Sequence, residues 1–188
     1  MAKPSFLLRL SGEQLWLGIG LFSFGLAGGS LVLTALLDLH PCHLCIFQRL
    51  LFIKLGVLGI ATYALRGVAQ RITGDLAILV AGVGIGVSSY QSWLEAQPTG
   101  TASCTFGEPS LIEQLVEWLG QLAPSLFLAT GFCEEPELHI LGLSLANLAL
   151  ASFLSILLVA GTAWAIRTRR FWWQGARGHL PEGAWDGE

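Results

Sequence analysis

Charged residues are scarce in this 188-residue chain, and that scarcity narrows the classes of protein it can be. Charged side chains make up 12% of the sequence, whereas hydrophobic residues make up 53%. Soluble domains carry about twice that share of charge, so the composition excludes an ordinary soluble protein and indicates an integral membrane protein. The ten Lys and Arg residues form no basic face, so nothing in the sequence suggests nucleic-acid binding.

The sequence also lacks a recognisable cleavable signal peptide. Residues 1–14 are too polar for the apolar core of such a signal. The apolar run that follows is of full spanning length and offers no convincing cleavage site. We therefore expect this first apolar run to act as a membrane helix.

Four apolar runs are long enough to cross a bilayer as helices. They cover residues 15–37, 46–65, 76–94 and 143–166. Because most of their connections are short, we predict an all-α membrane protein, a four-transmembrane-helix up-down bundle over residues 1–168. Residues 66–75 are expected to form a polar turn and residues 169–188 a flexible cytoplasmic tail. Lys54 falls near the middle of the second run, where it should snorkel or meet an interior polar group.

Two loops contain no Lys or Arg at all. These loops are residues 38–45 and 95–142, and the second contains seven Glu. Eight of the ten basic residues lie before the first run, between the second and third, or after the fourth. The positive-inside rule therefore predicts that both termini are cytoplasmic and that both loops lie on the opposite side of the membrane.

The long second loop contains one predicted amphipathic helix. Ser110 and Glu113 have the spacing of a capping box at its start. Apolar residues then recur at helical spacing, as Leu111, Leu115, Trp118, Leu119 and Leu122. We expect this apolar stripe to lie on the membrane surface.

The chain has only four cysteines, and two of them form a Cys-x-x-Cys motif at the start of the second run. Pro41 suits the first turn of a helix, where the unpaired N–H groups favour a thiolate at Cys42 or Cys45. Arg49 lies four residues after Cys45, on the same helix face. Redox chemistry, metal binding and core filling are all open uses of these cysteines. A zinc or copper site would use His40, Cys42, His43 and Cys45.

The other two cysteines, Cys104 and Cys133, lie in the long loop on the same predicted side of the membrane, where disulfides persist. They are able to pair with each other, either as a structural staple or as a disulfide open to thiol exchange. Their small, glycine-containing surroundings favour exchange. Two cysteine pairs on one face predict an electron relay from Cys104–Cys133 to Cys42–Cys45. A lipid-soluble quinone is a suitable final acceptor, with Arg49 stabilising negative charge.

These motifs resemble the DsbB family of bacterial inner-membrane thiol:quinone oxidoreductases. The resemblance rests on residues 41–49, on the loop cysteine Cys104 with residues 130–134, and on residues 141–144 before the last run. With the four-helix layout, it covers nearly all of the chain to about residue 168. It implies oxidation of a periplasmic thioredoxin-fold oxidase of the DsbA type. The electrons would pass to the membrane quinone pool, ubiquinone or menaquinone, and so sustain disulfide bond formation.

The resemblance also implies roles for individual residues. Cys104 resembles the cysteine that forms the mixed disulfide with the thiol partner, and Cys133 resembles its pair. Cys45 resembles the cysteine beside the quinone, with Cys42 as its exchanging partner. Arg49 resembles the arginine of the quinone site. No metal ligand is implied, and both cysteine-bearing loops are expected in the periplasm.

One departure from the family pattern lies late in the third helix. Relatives often carry a His or Arg late in the third helix that has been linked to the quinone site, but residues 90–93 here are Tyr-Gln-Ser-Trp. The sequence leaves open whether Gln91 or Trp93 contacts the quinone. Three alternative functions also stay open. They are a vitamin K epoxide reductase-like thiol oxidoreductase, a non-enzymatic membrane metal-binding protein, and a structural subunit whose disulfides are staples.

Overall fold

The computed structural model is a bundle of four long helices with two short helices beside it. It describes residues 12–97, 111–127, 139–140 and 143–177. The helices are α1 (Gly12–Leu37), α2 (His43–Ala64), α3 (Gly67–Glu95), α4 (Leu111–Leu122), α5 (Pro124–Phe127) and α6 (Leu145–Arg177). Two residues at His139–Ile140 (β1) pair antiparallel with Leu143–Ser144 (β2).

Four helices are long and apolar enough to cross a membrane. They are α1, α2, α3 and the Leu145–Ile166 part of α6. The predicted four-transmembrane-helix bundle is therefore confirmed, and the two-residue strands do not change the all-α class. Half of the α2 span is buried, against 22–28% of the other three, so α2 is the most buried of the four. Lys54 is exposed on α2, which excludes an interior contact and favours snorkelling.

The long helices form a closed ring in the order α1, α2, α3, α6, with α6 packed back against α1. The connection from α1 to α2 has five residues, and that from α2 to α3 has two. Gly67 has a φ of 66°, and this left-handed conformation allows the tight turn into α3. Since consecutive helices run antiparallel, the end of α1, the start of α2, the end of α3 and the start of α6 meet at one end of the bundle. Cys42 and Cys45 lie at that end.

The third helix begins nine residues earlier than the sequence predicts. Helix α3 starts at Gly67 and not at residue 76, so the expected polar turn over 66–75 is wrong from residue 67 onward. Hydropathy detects only the apolar part of a helix. The polar first turns of α3 are helical because their backbone hydrogen bonds form without apolar side chains. Gln70 faces inward there, and the Thr73 hydroxyl lies 2.9 Å from that of Thr62 on α2.

The last helix is also longer than predicted. Helix α6 continues to Arg177, so the expectation of a flexible tail from residue 169 is wrong for residues 169–177. Residues 178–188 lie outside the described part of the chain. At its other end, the Ser144 hydroxyl accepts a hydrogen bond from the backbone N–H of Asn147 at 3.3 Å and so caps the helix.

The predicted amphipathic helix is present as α4, although Ser110 of its capping box lies outside the described residues. Val116 and Gly120 form its buried face, and Val116 packs with Ile46 of α2. Most of the predicted apolar stripe points away from the bundle, with Leu111 84% and Trp118 57% exposed. Most of the stripe therefore does not pack on the bundle, and its location on the membrane surface stays a prediction.

Glycines shape two faces of α1. A Cβ atom on Gly59 would lie 2.7 Å from the backbone nitrogen of Gly20, so only glycine permits this approach. Further along α1, Gly25 and Gly29 have nothing within 4 Å of a Cβ position. Gly20 and Gly59 thus bring α1 and α2 into close contact, whereas Gly25 and Gly29 leave open space on another face of α1.

An aromatic stack lies in the middle of the bundle. Phe52 of α2 and Phe153 of α6 stack with ring centroids 4.2 Å apart and planes 4° from parallel. Phe153 is fully buried, and its ring fills the notch left by Gly84 of α3. The absence of a side chain at Gly84 thus sets the spacing of α3 and α6.

We expect Gly84→Ala to destabilise the protein by about 1–3 kcal/mol, because the new methyl group would overlap the Phe153 ring and force the stack apart. Thermal unfolding in detergent measures the change. Gly82→Ala is the matched control, since a Cβ at Gly82 meets nothing within 4 Å. Equal melting temperatures for the two variants would contradict this account of the packing.

Candidate thiol redox site

Cys42 and Cys45 lie at the first turn of α2. Cys42 is the N-cap residue and Cys45 is in the turn after it, as the motif predicts. Pro41 lies one residue before the cap, not within the first turn as predicted. Cys42 is 3% exposed, Cys45 is half-buried, and their sulfurs are 3.2 Å apart. This is hydrogen-bond contact between two thiols, close enough for a small movement to form an S–S bond of about 2.05 Å.

The side chain of Gln91 on α3 faces this cysteine pair. Its Nε2 group lies 3.2 Å from the sulfur of Cys45 and 3.9 Å from that of Cys42. Tyr90 and Trp93 point outward, 52% and 55% exposed, and stack on each other with centroids 6.0 Å apart. Among the residues at 90–93, Gln91 is therefore the one aimed at the sulfurs.

Arg49 lies one turn deeper than Cys45 and is 6% exposed. Its guanidinium donates to the hydroxyls of Ser30 and Thr34 on α1, at 2.9 and 3.0 Å, and to the carbonyl of Leu126 on α5, at 2.9 Å. All three acceptors are neutral. No carboxylate in the described ranges forms an ion pair with Arg49, so its positive charge remains available to an anion.

Both cysteines open on a cavity of about 290 Å³ to which all four long helices contribute. Helices α1 and α6 supply most of its apolar wall, and α2 and α3 supply its sulfur, amide and charged groups. The lining residues are Gly25, Leu26, Gly29, Ser30, Leu33, Thr34, Leu39, His40, Pro41, Cys42, Cys45, Gln48, Arg49, Phe52, Gln91, Glu95, Leu145, Leu148, Ala149 and Ser152. An apolar cleft with a few convergent polar groups is typical of a small-molecule site.

The structure places the sequence-predicted residues in two groups. It brings Cys42, Cys45 and Arg49 to one cavity, whereas Cys104 and Cys133 lie outside the described residues. In the part of the chain that is described, no three His, Cys, Asp or Glu side chains converge as metal ligands. The zinc or copper alternative therefore lacks an assembled site there.

Sequence reasoning does not identify several residues of the site. Gln48 and Glu95 line the cavity, and Ser30 and Thr34 bind Arg49. For the last two a signal does exist, because hydroxyls four residues apart on an apolar membrane helix lie on one face. Gln48 and Glu95 carry no such signal, because their place in the site depends on contacts that form only in the folded structure.

A four-helix membrane bundle with a Cys-x-x-Cys pair beside an apolar cavity and a buried cation has the architecture of a membrane-embedded thiol oxidoreductase. Residues 12–163 match the family model described as "Disulfide bond formation protein DsbB". The chain therefore belongs to the DsbB family, whose members act in disulfide bond formation as membrane oxidoreductases.

Individual relatives agree with this assignment. The chain is 42% identical over 142 residues to "Disulfide bond formation protein B" of Dechloromonas aromatica, covering 76% of this chain and 86% of the relative. It is 36% identical over 174 residues to the protein of that name from Pseudomonas syringae pv. tomato, covering 90% and 98%. A third protein of that name, from Methylobacillus flagellatus, is 33% identical over 141 residues, covering 73% and 84%.

We expect Arg49→Met to release α5 from the bundle, because the carbonyl of Leu126 would lose its charged donor. A hydrogen bond to a charged group contributes about 1.5–3 kcal/mol, so amide hydrogen exchange in residues 123–127 should become at least about tenfold faster.

Lys54→Met is the matched control for this experiment. It removes the same charge from an exposed position of the same helix and should leave exchange in residues 123–127 unchanged. If Arg49→Met also leaves the exchange unchanged, the Arg49–Leu126 contact does not hold α5.

Proposed function

We propose that the protein is a protein dithiol:quinone oxidoreductase of a bacterial inner membrane. It oxidises a periplasmic thioredoxin-fold dithiol oxidase of the DsbA type and so sustains disulfide bond formation. Electrons pass from the partner to the Cys104–Cys133 disulfide, then to Cys42–Cys45, and then to a membrane quinone, ubiquinone or menaquinone. The observation that carries the proposal is the convergence of Cys42, Cys45 and the Arg49 guanidinium on one apolar cavity.

The residues of the cavity suit a quinone in both shape and charge. Leu33, Leu145 and Leu148 supply apolar wall for a ring and its hydrocarbon tail. Arg49 has only neutral oxygen partners among the described residues, so it attracts an oxygen atom on which negative charge develops. When bound, a quinone accepts two electrons and two protons and leaves as the quinol.

The first exchanges are thiol–disulfide reactions. A thiolate of the partner attacks the sulfur of Cys104, the Cys104–Cys133 bond breaks, and Cys133 leaves as a thiolate. The second thiolate of the partner then displaces Cys104 and closes the partner's disulfide. The two loop cysteines now hold the two electrons as a dithiol.

The second pair takes over the electrons by the same chemistry. A loop thiolate attacks Cys42, and the electron pair of the Cys42–Cys45 bond moves onto the sulfur of Cys45. The second loop thiolate then closes the loop disulfide and releases Cys42. The reduced pair, with its two electrons and two protons, lies at the cavity beside Arg49. When the Cys42–Cys45 bond re-forms, the two electrons and the two protons pass to the quinone.

The membrane orientation is part of the proposal. Cys42, Cys45 and the end of α3 at Glu95 share one end of the bundle, and the loops at that end contain no Lys or Arg. The other end carries the Arg66–Glu13 ion pair and most of the basic residues. We place the cysteine end in the periplasm and both termini in the cytoplasm, in accord with the positive-inside rule.

The decisive experiment is quinone reduction by the purified protein in detergent, supplied with a reduced thioredoxin-fold dithiol protein. We expect the wild type to turn over and both Cys45→Ser and Cys104→Ser to be inactive, because each breaks one exchange of the relay. Ubiquinone and menaquinone analogues are tested in parallel by the loss of quinone absorbance.

A small dithiol distinguishes the two broken steps. It should still reduce the Cys42–Cys45 disulfide of Cys104→Ser, and this variant should then reduce quinone, whereas Cys45→Ser should stay inactive with either donor. A wild type that leaves quinone untouched, while its cysteines stay oxidised and the protein unfolds on reduction, would refute the relay and make the disulfides structural.

A further inference from the structure

Two buried glutamines join α2 and α3 beside the cysteine pair. Gln48 and Gln91 are 5% and 3% exposed. The Nε2 group of Gln48 donates to Oε1 of Gln91 at 2.9 Å. Two primary amides placed inside a membrane bundle are costly unless they are hydrogen-bonded, so their pairing is a specific feature of this site.

The opposite end of the Gln91 amide faces groups that accept hydrogen bonds. Its Nε2 lies 3.2 Å from the sulfur of Cys45, 3.9 Å from that of Cys42 and 3.4 Å from Oε1 of Glu95. Cys45 is the nearest of the three. The amide N–H group therefore points at the sulfur that the proposed relay turns into a thiolate.

An amide side chain has two orientations that differ by exchange of its oxygen and nitrogen. Gln48 donates to the oxygen of Gln91, and Glu95 accepts from its nitrogen, so both neighbours favour the same orientation. The reversed orientation would turn the carbonyl oxygen of Gln91 toward Cys45 and repel a thiolate. Gln48 and Glu95 together thus set which end of Gln91 the sulfur meets.

We propose that Gln91 is a catalytic hydrogen-bond donor to the Cys45 thiolate and that Gln48 is a positioning residue that fixes its amide. The inference rests on the proposed function, since it concerns the sulfur that leaves when Cys42 is attacked. As the Cys42–Cys45 bond breaks, its electron pair moves onto Cys45, and the Gln91 N–H group stabilises the new charge without a proton transfer. A stabilised leaving thiolate speeds the exchange.

The charges around Cys45 explain why a neutral donor is useful here. Glu95 lines the same cavity and disfavours a second negative charge, whereas the cation of Arg49 is held by three other acceptors. Gln91 contacts both Glu95 and Cys45, so its N–H groups separate the carboxylate from the sulfur. It therefore supports a thiolate in a cavity that also contains the Glu95 carboxylate.

The test uses the alkylation rate of Cys45, which needs no quinone and no partner protein. The background is Cys104→Ser with Cys133→Ser, reduced with a small dithiol and treated with iodoacetamide at pH 7, and modified Cys45 is quantified by peptide mass spectrometry. We expect about tenfold slower alkylation in Gln91→Met, which loses the bond to a charged group, and about threefold slower alkylation in Gln48→Met.

Gln70→Met is the matched control. Gln70 is a buried glutamine of α3 that lies 21 residues from Gln91, about 30 Å along the helix, and its variant should alkylate at the rate of the background protein. Cys45 in the double variant Gln48→Met, Gln91→Met should be alkylated no more slowly than in Gln91→Met alone, because Gln48 acts only through Gln91.

Three results would overturn the inference. If Cys45 of Gln91→Met is alkylated at the rate of the background protein, Gln91 is not a donor to the thiolate. If the same holds for Gln48→Met, Gln48 does not position Gln91. If the slowing in the double variant equals the product of the two single effects, Gln48 acts independently of Gln91.

If Gln91→Met does not fold, Gln91→Asn keeps a polar group but withdraws the N–H by one methylene, and the same slowing is expected. If the wild type does not reduce quinone but the variants show the expected alkylation rates, the proposed function is refuted and the role of Gln91 stands.

Discussion

A buried guanidinium with only neutral partners is the constraint on which this end of the molecule depends. Removing a cation from water is costly, and Arg49 is compensated by oxygen atoms from α1 and α5 instead of a carboxylate in the described residues. Those contacts hold α1 at a set distance from α2 and keep α5 against the bundle. Because they leave the charge unneutralised, Arg49 brings a positive charge to the cavity that Cys45 and Glu95 also line. Structural and chemical roles thus rest on the same side chain.

The cavity exists because the bundle is packed unevenly. Glycines at positions 20 and 59 let α1 and α2 touch, and the glycines at 25 and 29, which line the cavity, leave space on another face of α1. The Phe52–Phe153 stack closes the cavity from below, since Phe52 belongs to its lining. A uniformly packed bundle of the same composition would have no room for a ligand beside the sulfurs.

Much of this architecture could be predicted from the sequence, and the rest shows where sequence reasoning stops. Hydropathy identifies the four helices, and spacing places Arg49 on the same face as Cys45, because both signals are local. Neither Gln48 nor Gln91 is assigned a contact by the sequence, since the hydrogen bond joins residues 43 apart and depends on how α2 meets α3. Similarly, Gly82, Gly84 and Gly86 are equivalent in sequence, yet only Gly84 faces Phe153. The start of α3 is misplaced because a polar helical turn has no hydropathy signature.

The contact between Arg49 and Leu126 has a kinetic consequence for the proposed relay. The described loop segment from Leu111 to Phe127 is docked on α2, and Cys104 and Cys133 lie seven residues outside Leu111 and Leu126 respectively. Seven residues span at most about 25 Å when fully extended. A tether of this length would give the two cysteine pairs of the proposed relay an effective concentration on the order of millimolar. In the proposed relay, exchange between the two pairs would then be unimolecular and insensitive to dilution, whereas the encounter with the proposed thiol partner would be a second-order step.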